Sequence, residues 1–344
     1  GRFAEAAVQG LKLAVNEAAA GRLGLNILDT GGSADQAARL VEQAAADPQV
    51  LAVAGPLLSR ESSAAAEAAN RVGLPLIALT QLADLPRSGP HVFRIFLTPR
   101  HQAEAVARYA VRDENHQTLG VVHPDDNYGR PMLNYFQNEA VRLGAQVAVV
   151  DRYDPQKPDF EALVARLTGG RAIRRVSTDY QAQVGFTALY LPDSAGSIAR
   201  ILPLLAFHDV TRMRFLGSSL WLNQELLTGS ARYLQGAVIP VALSDLSLRP
   251  ESRRFIDSFQ RTYGHAPDQF AAYGYDAALA VIQALGRGAA DRTALSRALG
   301  RGDPVPGATG PFTFDQDGEY RVEPALLTIT DRDFTLLREP GPGR

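Results

Sequence analysis

The stretch Leu51-Ala-Val-Ala-Gly-Pro-Leu-Leu-Ser-Arg-Glu-Ser-Ser-Ala-Ala65 decides the fold. Leu51–Ala54 is an apolar run of strand length. Gly55-Pro56 breaks it, and Ser59 stands ahead of an Ala-rich helical stretch with Glu61 in its first turn. Strand, tight turn and helix in that order belong to an open α/β sheet, where ligands sit at the carboxyl ends of the strands. The first N–H groups of a helix have no intrahelical acceptor, and the dipole favours negative charge there. A carboxylate or phosphate could dock on those N–H groups and the Ser59 hydroxyl. Equally, Ser59, Ser62 and Ser63 could do no more than cap the helix.

The same alternation extends both ways. Apolar residues at Phe3, Ala7, Leu11, Ala14, Val15 and Ala18 have helical spacing. Leu23–Leu28 reads as a strand closing on Asp29-Thr-Gly-Gly, and Ser33 caps a helix to about Ala46. Leu74–Leu79 is the next strand, opening into a polar loop that begins at Thr80-Gln81 and carries Pro86, Gly89 and Pro90. Val92–Leu97 is a further strand, and a second series then follows: strands at Thr118–Val122, Gln146–Val150, Phe186–Leu191, Arg214–Gly217 and Val238–Leu243, with helices between them. Residues 169–185 have no clear period and read as a long polar connection. Helices at Glu251–Tyr263, Asp268–Leu285 and Arg292–Leu299 precede strands around the turn Asp315-Gln-Asp-Gly. The expected fold class is therefore α/β, with two doubly wound parallel-sheet lobes and a ligand cleft between them.

Composition narrows the function. The 344 residues, 46% hydrophobic and 21% charged, suit about two domains with their own cores. A net charge of −2 gives no electrostatic case for nucleic acid or an anionic membrane surface. The absence of Cys excludes thiolate metal sites, thiol nucleophiles and disulfides. No run of about 18 apolar residues could span a membrane. The sequence opens at Gly1-Arg2-Phe3, already inside a helical pattern, so an export signal is expected upstream of it.

Together these segments resemble the type I periplasmic solute-binding proteins of the branched-chain amino-acid (Leu/Ile/Val) class. The matching pieces are LDTGGSADQAARLVEQ (28–43), VAGPLLSRESSAA (53–65), LPLIALT (74–80), VVHPDDNYGR (121–130), FTALYLPDS (186–194), LGSSLWLNQELL (216–227), FAAYGYDA (270–277) and VPGATGPFTFDQDGEY (305–320). They cover nearly the whole chain in the family's order. Leu-Pro-Asp-Ser, Ala-Phe-His-Asp-Val and Ser-Leu-Trp are most similar to a branch near the lipoprotein activators of penicillin-binding proteins.

The resemblance implies two lobes joined by three crossovers, one of residues 1–98 plus 244–310 and the other of 99–243 plus 311–344, closing on ligand by a hinge motion. It implies an exported receptor, periplasmic or lipid-anchored, whose partners are a small amino-acid-like or carboxylate ligand and the membrane subunits of an ABC transporter. The serine that holds the ligand carboxylate falls on Ser59, and the next binding segment on Thr80 and Gln81. The facing aromatic falls on Tyr128 and a further cleft position on Asp193 and Ser194. The acidic residue that pairs with a ligand ammonium falls near Ser219, with Trp221 close behind, where this chain has no carboxylate. Asp193 or Asp126 would have to supply that charge, because a buried ammonium without a counter-ion is costly. The family also begins with a strand before its first helix, which this sequence does not show, so an open sheet edge is expected. The missing acid and the Ser-Leu-Trp segment favour a second reading: an envelope regulator with a vestigial cleft that contacts a cell-wall synthesis enzyme.

Several residues have competing readings. Tyr128 lines a ligand or is an ordinary loop aromatic. Trp221 lines the pocket or packs beneath the loop. Asp193 meets ligand or caps the following helix. His123-Pro-Asp125-Asp126 lacks the spacing of a metal site, and Asp315-Gln-Asp317-Gly318 reads as a β-turn rather than a calcium loop. No metal and no cofactor is expected. Arg171, Arg174 and Arg175 make a docking surface or a solvated loop. There is no G-x-S-x-G, Walker A, H-E-x-x-H or post-strand G-x-G-x-x-G motif to name a catalytic residue, so the expectation is a binding protein and not an enzyme.

Overall fold

The computed structural model describes residues 1–19, 21–168, 184–210 and 213–343. Most of the polar connection, residues 169–183 with Arg171, Arg174 and Arg175, lies outside the described residues. The chain divides into two compact units: Gly1–Leu97 with Ala242–Pro324 and Glu339–Arg344, and Thr98–Val241 with Ala325–Arg338.

In the first unit the strands Val53–Ala54, Leu76–Ala78 and Val92–Arg94 form a parallel sheet in chain order. Strand residues alternate between two helical layers, as the pleat requires. Leu76, Ala78 and Val92 pack with the helices Ala34–Ala46 and Ser59–Val72, while Ile77 and Phe93 pack with the helix Gln269–Gly286. A second, antiparallel sheet orders Gly341–Pro342, Tyr320–Glu323, Gly310–Phe314 and Val305–Gly307. The helix Arg2–Ala18 lies on Gln269–Gly286 through two glycines. A Cβ on Gly10 would stand 1.8 Å from the Ala271 carbonyl oxygen, and one on Gly274 would stand 2.0 Å from that of Ala7.

The second unit holds seven strands in the order Asp333–Arg338, Ala325–Thr330, Val238–Val241, Arg214–Leu216, Ala188–Tyr190, Thr118–Pro124 and Gln146–Tyr153. The last five are parallel, and the two contributed by the C-terminal segment are antiparallel. Leu119, Val121, Ala188, Tyr190 and Leu216 face the helices Pro99–Arg108 and Gly129–Arg142. Val122, Leu189, Leu191, Phe215 and Ile239 face the helices Phe160–Leu167 and Ala195–Phe207. Both faces of the parallel strands are covered, which is why they read as nearly unbroken apolar runs.

Three expectations need correction. Residues 311–324 and 339–344 belong to the first unit, because Gly310–Phe314 pairs with Val305–Gly307 and because Phe312, Phe314, Tyr320 and Val322 enter its core. The chain consequently passes between units at Leu97/Thr98, Val241/Ala242, Pro324/Ala325 and Arg338/Glu339, which is four crossings rather than three. Leu23–Leu28 is not a strand, and Leu25, Ile27 and Leu28 are 38%, 52% and 47% exposed. Among the described residues no strand exchanges hydrogen bonds with it, and the Val53–Ala54 edge of the parallel sheet has no neighbour beyond it.

Candidate functional site

In the first unit the candidate residues follow adjacent strand ends. The helix beginning at Ser59 has Leu58 at its N-cap position, and no side chain bonds its first N–H groups. Ser59 is exposed, and its hydroxyl is engaged by no hydrogen bond among the described residues. Ser62 turns inward instead, its hydroxyl donating to the Leu58 carbonyl at 2.9 Å. The capping reading of these serines therefore does not describe what they do. The neighbouring loop is drawn in by the Leu79 N–H, which donates to the Pro56 carbonyl at 3.0 Å. Thr80 is buried, and its hydroxyl accepts from the Leu82 N–H at 3.4 Å, whereas Gln81 is exposed. Thr30 donates to the buried Glu61 carboxylate, which holds the Asp29–Gly32 turn on the same helix start.

In the second unit three adjacent parallel strands deliver Tyr128, Asp193 and Ser218-Ser219 to their carboxyl ends. Asp126 caps the helix Gly129–Arg142, accepting from the Tyr128 and Gly129 N–H groups at 2.9 and 2.7 Å. Gly129 permits the tight approach, since a Cβ there would meet the Pro124 carbonyl oxygen at 2.0 Å. Burial pushes the Tyr128 phenol up to about 12. The Ser218 hydroxyl, buried and without a well-formed hydrogen bond, stands close enough to pull it partly back, while the negative charges of Asp193 and Asp126 raise it further. Asp193 is itself raised above the ordinary carboxylate range, chiefly by burial, against the opposing effect of the Ser194 N–H and the Ser194 and Ser197 hydroxyls. The Asp193 charge thus reaches the Tyr128 phenol at the carboxyl end of one sheet.

The two neighbouring aspartates have different duties. Asp126 holds the helix start through Oδ1. Asp193 accepts the Ser194 N–H at 2.5 Å on Oδ1, and Ser194, not Asp193, caps the helix Ala195–Phe207 by accepting from the Ser197 N–H at 3.3 Å. Ser219 is half-buried and is held by its N–H, which donates to the Gln102 amide oxygen at 2.9 Å. Trp221 is corrected from the ligand set to the core: it is 0% exposed and packs with Leu226, Leu227 and Ile239, under Gly217, whose Cβ would lie 2.4 Å from the ring. Ser218 was missed because it sits one residue from the expected position, and only the strand's register shows which serine turns toward Tyr128. Among the described residues no group of three or more His, Asp or Glu is placed to hold a metal. His123 is buried beside the Pro124 carbonyl, Asp125 pairs with Arg130 and Arg152, and Asp315 closes a β-turn and pairs with Arg321.

A sequence family described as periplasmic binding protein matches residues 1–330. The chain belongs to this family. It is 24% identical over 292 residues to an amino acid binding protein of Pseudomonas aeruginosa, covering 83% of this chain and 71% of that one. Among solved structures it is similar to a Rhodospirillum rubrum chain assigned to a branched-chain amino acid ABC transporter, with a TM-score of 0.86, 22% identity and coverage of 98% and 95% of the two chains. It is similar also to a Rhodopseudomonas palustris solute-binding protein in complex with 3,4-dihydroxybenzoic acid, with a TM-score of 0.66, 17% identity and coverage of 98% and 92%. The fold is that of a type I periplasmic binding protein, and the family is one of solute-binding receptors. Membership implies a place outside the cytoplasmic membrane, and among the described residues no helix is long and apolar enough to cross one.

Proposed function

We propose that this protein is the solute receptor of an ABC transporter and takes a small amino-acid-like ligand. The observation that carries this reading is the uncapped helix start at Ser59, where three N–H groups and a free hydroxyl await an anion. A ligand carboxylate is assigned there, with Gln81 beside it. In the second unit Tyr128, Ser218 and Ser219 are assigned as ligand-contacting residues, with Asp193 as the counter-ion of an ammonium. Asp193 accepts one backbone N–H, where Asp126 accepts two and holds the start of the helix Gly129–Arg142. It takes over the charge that is absent at Ser219. The relatives named above support a solute receptor, and their different names and ligands leave the side-chain class to experiment. The envelope-regulator reading gains no specific observation.

The test is a thermal-shift and calorimetric screen of amino acids and aromatic acids. A ligand at 100 times its Kd should add about 2.7 kcal/mol to stability. Ser59→Ala should weaken the hit about tenfold or more, the usual worth of a hydrogen bond to a charged group. Asp193→Asn should weaken an amino acid but not a simple carboxylate. Because burial raises Asp193, affinity for an ammonium should fall on acidification earlier than with an ordinary aspartate. Equal binding by wild type, Ser59→Ala and Asp193→Asn would overturn the assignment.

A further inference from the structure

A cavity of about 580 Å³ lies in the first unit, at the amino end of the strand Val92–Arg94. Ser59 and Thr80 follow the carboxyl ends of the same parallel sheet, so this cavity is at the opposite end. Three segments line it: 86–93, 293–300 and 316–318. Its volume is that of an ordinary small-molecule site.

The walls are held in place by their own bonds. Asn70 donates to the Ser88 carbonyl at 3.0 Å and accepts from the His91 N–H at 3.3 Å, which pins the 88–91 loop. The His91 ring meets the Ser296 hydroxyl at 2.8 Å, joining that loop to the helix Arg292–Leu299. Arg292 anchors the start of this helix by donating to the carbonyls of Val50, Ala45 and Asp47 at 2.8, 3.0 and 2.6 Å. Gly318, at φ +81°, lets the 316–318 turn close on the strand, since a Cβ there would lie 2.3 Å from the Val92 carbonyl oxygen. A cavity built this way is pre-formed and loses little on binding.

Charge selects the occupant. Arg87 is already neutralised by Asp84 at 3.2 Å and Asp317 at 3.6 Å. Arg297 also lines the cavity, is exposed, and has no ion pair or hydrogen bond among the described residues. Arg297 is thus the lining guanidinium left without a partner among the described residues, and its planar fork matches a carboxylate. The rings of Pro86 and Pro90 offer a rigid apolar wall for the rest of the molecule. We infer that this cavity is a second binding site, distinct from the Ser59 site, for a small organic monocarboxylate held by Arg297 with its apolar body on Pro86 and Pro90.

The probe is hexanoate, with hexanamide as its uncharged counterpart. The reporter is the ring resonance of His91 in the NMR spectrum, assigned by its loss in His91→Gln. Hexanoate should shift this resonance saturably at pH 7, and hexanamide should not. Arg297→Gln should raise the Kd about tenfold or more, and Arg297→Lys should retain part of the affinity. Ser59→Ala should leave the titration unchanged, which separates this site from the one proposed above. The inference is overturned if about 50 mM hexanoate leaves the resonance unmoved, if hexanamide moves it equally, if Arg297→Gln has no effect, or if Ser59→Ala abolishes the shift. Arg297 is exposed, so loss of fold is not expected, and the melting temperature of each variant checks it.

Discussion

Asp276 is 0% exposed in the helix Gln269–Gly286, and it fastens the hairpin of the antiparallel sheet to that helix. Its Oδ1 accepts the Ala308 N–H at 2.6 Å, and Oδ2 accepts the Thr309 N–H at 3.2 Å and the Thr309 hydroxyl, itself 2.6 Å from the Tyr320 phenol. Gly307 makes room, since a Cβ there would lie 2.8 Å from the carboxylate. Burial raises the pKa from 3.8 to about 6, despite these donors and the more distant Arg249 charge. The anion is then about 3 kcal/mol less favourable in the fold than in the open chain. A raised folded value means that the native state holds the proton more tightly. Stability from this group is therefore full below about pH 4 and lost as pH rises through about 6. The assay is urea unfolding of wild type and Asp276→Asn between pH 4 and 7.5. Asp276→Asn keeps the size but sets an amide N–H against the Thr309 donors, so it lowers stability at acidic pH. The difference between the two proteins should shrink by roughly 3 kcal/mol as pH rises. Parallel pH profiles would refute the reasoning, because the carboxyl would then titrate alike in both states.

Two further outcomes follow from packing. Gly274→Ala improves helix propensity by about 1 kcal/mol, yet its methyl would stand 2.0 Å from the Ala7 carbonyl oxygen. A net loss of roughly 1–3 kcal/mol in chemical unfolding is expected, and a neutral or stabilised variant would show that the two helices part without cost. Trp221, the single tryptophan, should give emission shielded from acrylamide and unchanged by ligand, since the ring is fully buried. Strong quenching in the native protein would return it to the ligand surface.

Apolar runs bounded by turn residues were enough to read the α/β class, the strand–helix order and the carboxyl-end positions of Ser59 and Asp193, while Tyr128 came from the family resemblance. These are local properties: each run carries its own period, and Ser33, Asp159, Ser194 and Asp268 cap their helices where a side-chain acceptor precedes them. A strand needs more than its own residues. Leu23–Leu28 has the right composition but, among the described residues, no neighbour to share hydrogen bonds, and Gly310–Phe314 joins the first unit because Val305–Gly307 supplies it with one.

The divisions of labour were likewise decided in three dimensions. Sequence alone offered Asp126 and Asp193 as equals, and only helix geometry shows the first bonded to two backbone N–H groups at a helix start and the second to one. It placed Trp221 at a loop, where the room left by Gly217 draws the ring inward. It gave no sign that residues 86–93, 293–300 and 316–318 would enclose one cavity, because they are brought together by contacts far apart in the chain. What the sequence by itself determined is the succession of elements and the residue types at their ends, since propensity and periodicity act within a few residues. Which edges pair, which polar groups are already satisfied and which charge is left for a ligand were decided by tertiary structure, since burial and hydrogen-bond saturation exist only once distant segments meet.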